Sequence, residues 1–171
     1  LEHVSPAERA DLARLIGWYY YERRLHDNAL AYLEMAEKAY IESSMQSHSL
    51  RVSNLTNLAN VLRKVGRVDD AGAAYKEVIT QIERRDGAGS QPMAYAEANY
   101  SMFLLETGQL DEAETTIRRV ITSFELSIGP TSWVTGNCRA KLASILEAQV
   151  RVAEAEQQLE AAYRFHVGEL G

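Results

Sequence analysis

Alanine recurs at positions 29, 71, 113 and 155, a spacing of 42 residues kept three times without insertion. A fixed period of this length dictates stacked supersecondary units, none of which buries its apolar face alone. The columns around the alanines behave as one pattern. Nine residues before them stand Tyr20, Leu62, Leu104 and Leu146, and thirteen before stand Ile16, Leu58, Tyr100 and Leu142. Between these runs a small-residue column of Gly17, Ala59, Ser101 and Ala143. Four after come Leu33, Tyr75, Ile117 and Leu159, and seven after come Ala36, Val78, Val120 and Ala162. Offsets of three, four and seven put apolar residues on one helical face. Small residues at fixed points let paired helices approach closely.

Each unit reads as helix A, a tight turn and helix B. The pattern predicts A helices near 6–24, 49–65, 91–107 and 132–149, and B helices near 27–43, 69–85, 111–127 and 153–167. Gly66 and Gly108 stand where A helices end, a place that favours left-handed backbone. Asp69 and Asp111 are expected to cap the following B helices. Ser5-Pro6-Ala7-Glu8 predicts a capping box, with proline at the first helical position. The breaks Asp86-Gly87-Ala88-Gly89-Ser90 and Gly129-Pro130-Thr131 separate units rather than domains, because the column pattern resumes after each.

A small residue, a bulky one, then an alanine followed by bulky and small residues resembles the tetratricopeptide repeat. Gly17, Tyr20, Ala29, Leu33 and Ala36 carry the resemblance in the first unit, and Tyr100, Ser101, Leu104, Ala113, Ile117 and Val120 in the third. It covers essentially the whole chain. The shorter common repeat has a period of about 34 residues. The extra length corresponds to roughly 12 Å of helix, and a 42-residue period resembles the kinesin light chain type of repeat. The closing proline of the shorter repeat is replaced by Ile41, Glu83, Glu125 and Val167. The resemblance implies an all-α fold: a right-handed α-solenoid of four helix-turn-helix units, about eight antiparallel helices. It implies one repeat domain over 1–171, with units near 5–46, 47–88, 89–130 and 131–171.

The family arrangement further implies that A helices line a concave groove, where members bind extended peptides or partner helices. Four columns would face it. They are Asp11, Ser53, Tyr95 and Asn137; Leu15, Asn57, Asn99 and Lys141; Trp18, Asn60, Met102 and Ser144; and Tyr21, Arg63, Leu105 and Glu147. The expected peptide-binding groove is Asn57, Asn60, Arg63, Tyr95, Asn99, Met102 and Lys141. An asparagine there offers a donor and an acceptor to a ligand backbone. Polar residues on a helical face are more often simply solvated. The recurrence of Asn57 and Asn99 one period apart argues for a ladder. In Trp18-Tyr19-Tyr20-Tyr21 at least one ring must face outward.

Charge divides between the layers. The predicted A helices are slightly basic, and the B helices carry the acidic excess behind the net charge of −6. Arg51, Arg63 and Lys64 give the inner layer a basic spot, which favours a protein or peptide partner with acidic groups. An acidic chain is a poor neutraliser of phosphates, so no nucleic-acid partner is expected. No apolar stretch is long enough for a membrane span, and no signal-peptide pattern occurs. The one cysteine, Cys138, forms no internal disulfide, which makes cytoplasmic the default location. His3, His26, His48 and His166 lack the spacing of a helical metal site. Phosphate-loop, dinucleotide and nucleophile-elbow patterns are absent. The chain is therefore read as a non-enzyme without cofactor or metal, with Cys138 a structural thiol. Two further readings stand beside the interaction scaffold. One is a regulatory or sensor domain of a larger signalling protein or transcription regulator. The other is a self-assembling module that forms homo-oligomers through its exposed ends. Because the sequence begins at Leu1 rather than methionine, it is read as a piece or processed product of a longer chain.

Overall fold

The computed structural model describes residues 5–43 and 49–168, with side chains through 163. His3 and His48 lie outside the described residues. Eight helices follow in order: α1 (Pro6–Glu22), α2 (His26–Glu42), α3 (Ser49–Lys64), α4 (Val68–Asp86), α5 (Gln91–Glu106), α6 (Leu110–Ile128), α7 (Trp133–Ala148) and α8 (Val152–Gly168). Odd-numbered helices are the A helices and even-numbered ones the B helices. Every boundary falls within two residues of the one the repeat predicts. Among the described residues there is no strand.

The four A–B turns share one design. The fifth residue before each column alanine holds left-handed backbone: Arg24 at φ 59°, Gly66 at 81°, Gly108 at 77° and Val150 at 62°. The next N–H then donates back to helix A: Leu25 to the Tyr20 carbonyl, Arg67 to Leu62, Gln109 to Leu104 and Arg151 to Leu146, at 2.8–3.0 Å. The carbonyl of that same residue accepts from the alanine of helix B, in Ala29→Leu25, Ala71→Arg67, Ala113→Gln109 and Ala155→Arg151. One residue thus ends one helix and begins the next. This leaves no room for the expected aspartate caps. Asp69 and Asp111 sit inside the first turns of α4 and α6, and Gln109 precedes α6 without a side-chain cap. Their carboxylates instead oppose the positive ends of the helix dipoles. The first helix starts as predicted, with Ser5 and Glu8 forming a reciprocal capping box before Pro6.

The chain divides into two compact units, Leu1–Arg85 and Asp86–Gly171. In the first, α1 and α2 pack so closely that a Cβ on Gly17 would lie 2.7 Å from Leu33 Cγ. Ala10, Ala13, Ala36, Ala39 and Tyr40 form a buried cluster beside Leu50. The Tyr40 hydroxyl donates to Asp11 at 2.6 Å, and burial together with that bond pushes its pKa up to about 12. Arg51 is 8% exposed and gives α3 its grip on α2, donating to Glu37 from Nε at 2.9 Å and Nη2 at 2.6 Å. The amide of fully buried Asn54 adds a bond to the Leu33 carbonyl at 3.1 Å.

In the second unit Leu104, Ala113, Ile117, Val120, Phe124, Leu142, Ile145 and Leu146 form the closed core. Arg119 pairs with Glu97 at 2.6 Å and ties α6 to α5. Arg139 reaches from α7 to Glu125 of α6 and to Gln158 of α8. Thr135 donates to the Gly129 carbonyl at 2.9 Å and fixes the loop into α7. No helix among the described residues is long and apolar enough to cross a membrane.

Candidate peptide-binding cavity

Two A helices of the second unit, α5 and α7, enclose an open cavity of about 410 Å³. Its size falls in the range of ligand pockets. Helical spacing supplies the walls. Tyr95, Asn99 and Met102 lie one turn apart along α5, and Trp133, Asn137, Lys141 and Ser144 along α7. Ala98, Ala140, Val134 and Cys138 complete the lining. Tyr95 is partly exposed, yet its ring leans on buried Phe124 with centroids 5.1 Å apart, which holds it in place.

Lys141 is the single cationic side chain of this lining. It is half-buried, and its Nζ donates to the Ala98 carbonyl at 3.4 Å. Among the described residues it meets no carboxylate. Burial lowers its pKa below the ordinary lysine value, a shift the neighbouring Cys138 partly opposes. Burial pushes the Cys138 thiol up, which keeps it protonated and unreactive. The site therefore joins an apolar, aromatic wall to an ammonium with one weak acceptor. Removing an ammonium from water is costly unless an anion accompanies it. Among the described residues no group of three or more His, Cys, Asp or Glu side chains is placed to hold a metal.

The cavity unites Tyr95, Asn99, Met102 and Lys141, four of the seven residues expected in the groove. Asn57, Asn60 and Arg63 lie on α3 in the first unit and are half-buried. The Asn60 side-chain oxygen accepts from the Tyr75 hydroxyl at 2.6 Å, so half of its amide already serves the fold. Arg51 leaves the expected basic spot altogether, because Glu37 and Glu77 hold it inside the first unit. Trp133 was not foreseen. It opens α7 directly after its Ser132 cap, and its counterparts in the other units are Ala7, Ser49 and Gln91, so periodicity hides it. Asn137 and Ser144 belonged to the groove columns but not to the expected set, and Cys138 combines its structural burial with a place in the lining.

No protein-family model matches this sequence, and no curated protein matches it. Solved structures do. BtubC (BKLC) from P. vanneervenii superposes with a TM-score of 0.88 at 19% identity, covering 100% of this chain and 68% of that one. A kinesin light chain-type protein of Podosopora anserina with nearly identical TPR-like repeats gives 0.76 at 18% identity, covering 96% and 76%. The fold is a tetratricopeptide-like repeat fold. A variant of the same Podosopora anserina protein gives 0.79 at 17% identity over the same shares. The 42-residue period had pointed to the kinesin light chain type of repeat, and the tetratricopeptide-like neighbours include that type.

Proposed function

We propose that this chain is a protein-interaction module whose α5/α7 cavity anchors an extended peptide bearing a carboxylate. Repeat folds of this kind present helix-lined surfaces to partners, and tetratricopeptide-like repeats generally serve as interaction scaffolds. The observation that carries the reading is Lys141, a half-buried ammonium without a carboxylate partner among the described residues, in a cavity lined by Tyr95, Met102 and Trp133. An incoming carboxylate supplies the missing counter-ion, an apolar side chain fills the aromatic wall, and Asn99 and Asn137 offer amides to the peptide backbone. A panel of extended peptides with one Asp or Glu beside an apolar residue, each paired with its Asn or Gln counterpart, tests this by calorimetry. The acidic members bind more tightly, binding weakens as salt rises, and Lys141→Met costs them roughly tenfold in affinity. Equal binding of acidic and amide peptides sinks the assignment.

A second reading, self-association, is favoured by the first and last helices of the chain. Leu159 on α8 is 43% exposed, whereas Leu33, Tyr75 and Ile117 of the same column are closed. Tyr19 on α1 is 49% exposed in a column that elsewhere holds buried Val61, Phe103 and Ile145. Sedimentation across a concentration series decides it: mass that grows with concentration and reverts in Leu159→Glu supports it, and a constant monomer mass excludes it.

A further inference from the structure

Arginine commonly finds a carboxylate in this molecule, as Arg9 does at Glu42, Arg67 at Asp70, Arg119 at Glu97 and Arg151 at Glu154. One basic cluster of the first unit departs from that habit. Where α1 gives way to α2, a cavity of about 520 Å³ is lined by Tyr21, Glu22, Arg24, His26 and Lys64. Lys64 is the last residue of α3, and His26 the first of α2. Among the described residues neither Arg24 nor Lys64 meets a carboxylate, although Glu22 shares the lining. The His26 Nδ1 is buried without a hydrogen-bond partner there. Arg24 also occupies the left-handed turn position that glycine fills in the second and third units. Arginine there holds a backbone conformation that side chains with a Cβ disfavour.

We propose that this cavity is an anion site for a phosphoryl group. Arg24 and His26, at the turn into α2, and Lys64, at the end of α3, line one open, polar space beside Tyr21. A phosphoryl group brings close to two negative charges and three strong acceptor oxygens, which matches a guanidinium beside an ammonium better than a carboxylate's two oxygens do. The single carboxylate, Glu22, leaves the cluster net positive in an otherwise acidic chain. The group arrives either as a free phosphate-bearing molecule or on a phosphorylated partner.

The test uses the full chain and follows the His26 ring carbons by NMR, assigned with His26→Gln. It is titrated with inorganic phosphate against chloride at matched ionic strength. A short phosphoserine peptide and its unphosphorylated twin are titrated separately. The site predicts a saturable His26 shift. A shift with inorganic phosphate assigns it to free anions, and a shift with the phosphopeptide alone assigns it to a modified partner. The double variant Arg24→Gly, Lys64→Gln weakens that binding at least about tenfold. Glycine suits the left-handed turn, so the variant keeps its fold, which its melting curve verifies. A His26 signal that follows neither phosphate nor phosphopeptide beyond the chloride control overturns the proposal. So does unchanged affinity in the folded double variant.

Discussion

Val150 sits at φ 62°, where a β-branched side chain crowds its own carbonyl. Such a residue costs about 1–2 kcal/mol in left-handed backbone. Glycine returns part of that gain through the extra freedom of the unfolded chain. Val150→Gly is therefore expected to stabilise the protein by about 1 kcal/mol and to raise its Tm by about 3 °C, read by calorimetry. Gly108→Val at the matching turn is expected to do the reverse. The turns at Gly66 and Gly108 were legible in the sequence because glycine marks left-handed backbone. Those at Arg24 and Val150 were not, since neither residue type announces that conformation and only the superposition of four turns reveals it. Lys141 makes the opposite trade. Its folded pKa is lowered, so the unfolded chain binds more protons between that value and the ordinary lysine value of 10.5. Stability then rises with pH through this window, and the rise disappears in Lys141→Met. The same variant removes the cost of burying an ammonium. It is expected to melt no lower than the parent at pH 7 while losing acidic-peptide affinity, a separation that thermal melts and calorimetry read independently.

At the scale of helices, the columns predicted every A and B helix because the apolar period and the turn spacing agree along the chain. They said less about what joins one hairpin to the next. Arg51 read as part of the inner layer's basic spot, yet it sits buried between α3 and α2 with Glu37. Periodicity could not show this, because the same column elsewhere holds Arg9, Met93 and Thr135. Glu37→Ala removes the nearest counter-ion of a buried guanidinium and leaves Glu77 at 3.7 Å. The expected loss is about 3 kcal/mol, measured by urea denaturation. Replacing both partners, in Arg51→Met with Glu37→Met, is expected to recover most of it. If the single and double variants lose equal stability, the pair is not what secures α3 to α2.

For the whole molecule, the 42-residue period was sufficient to specify the repeat class, while the proposed site depended on a departure from that period. Tyr95, Asn99, Met102 and Lys141 were legible as groove columns, but the wall that turns them into a cavity includes Trp133, which no other unit repeats. Trp133 is 61% exposed, and the chain holds only two tryptophans. Trp18→Phe therefore leaves a single reporter inside the proposed site. The most direct measurement is the Trp133 indole N–H resonance in that variant, followed as the acidic peptides and their amide counterparts are added. The account predicts a saturable shift with acidic peptides, smaller for the amides and lost in Lys141→Met. A Trp133 signal that no acidic peptide moves, or one that moves equally with Lys141 replaced, would contradict it.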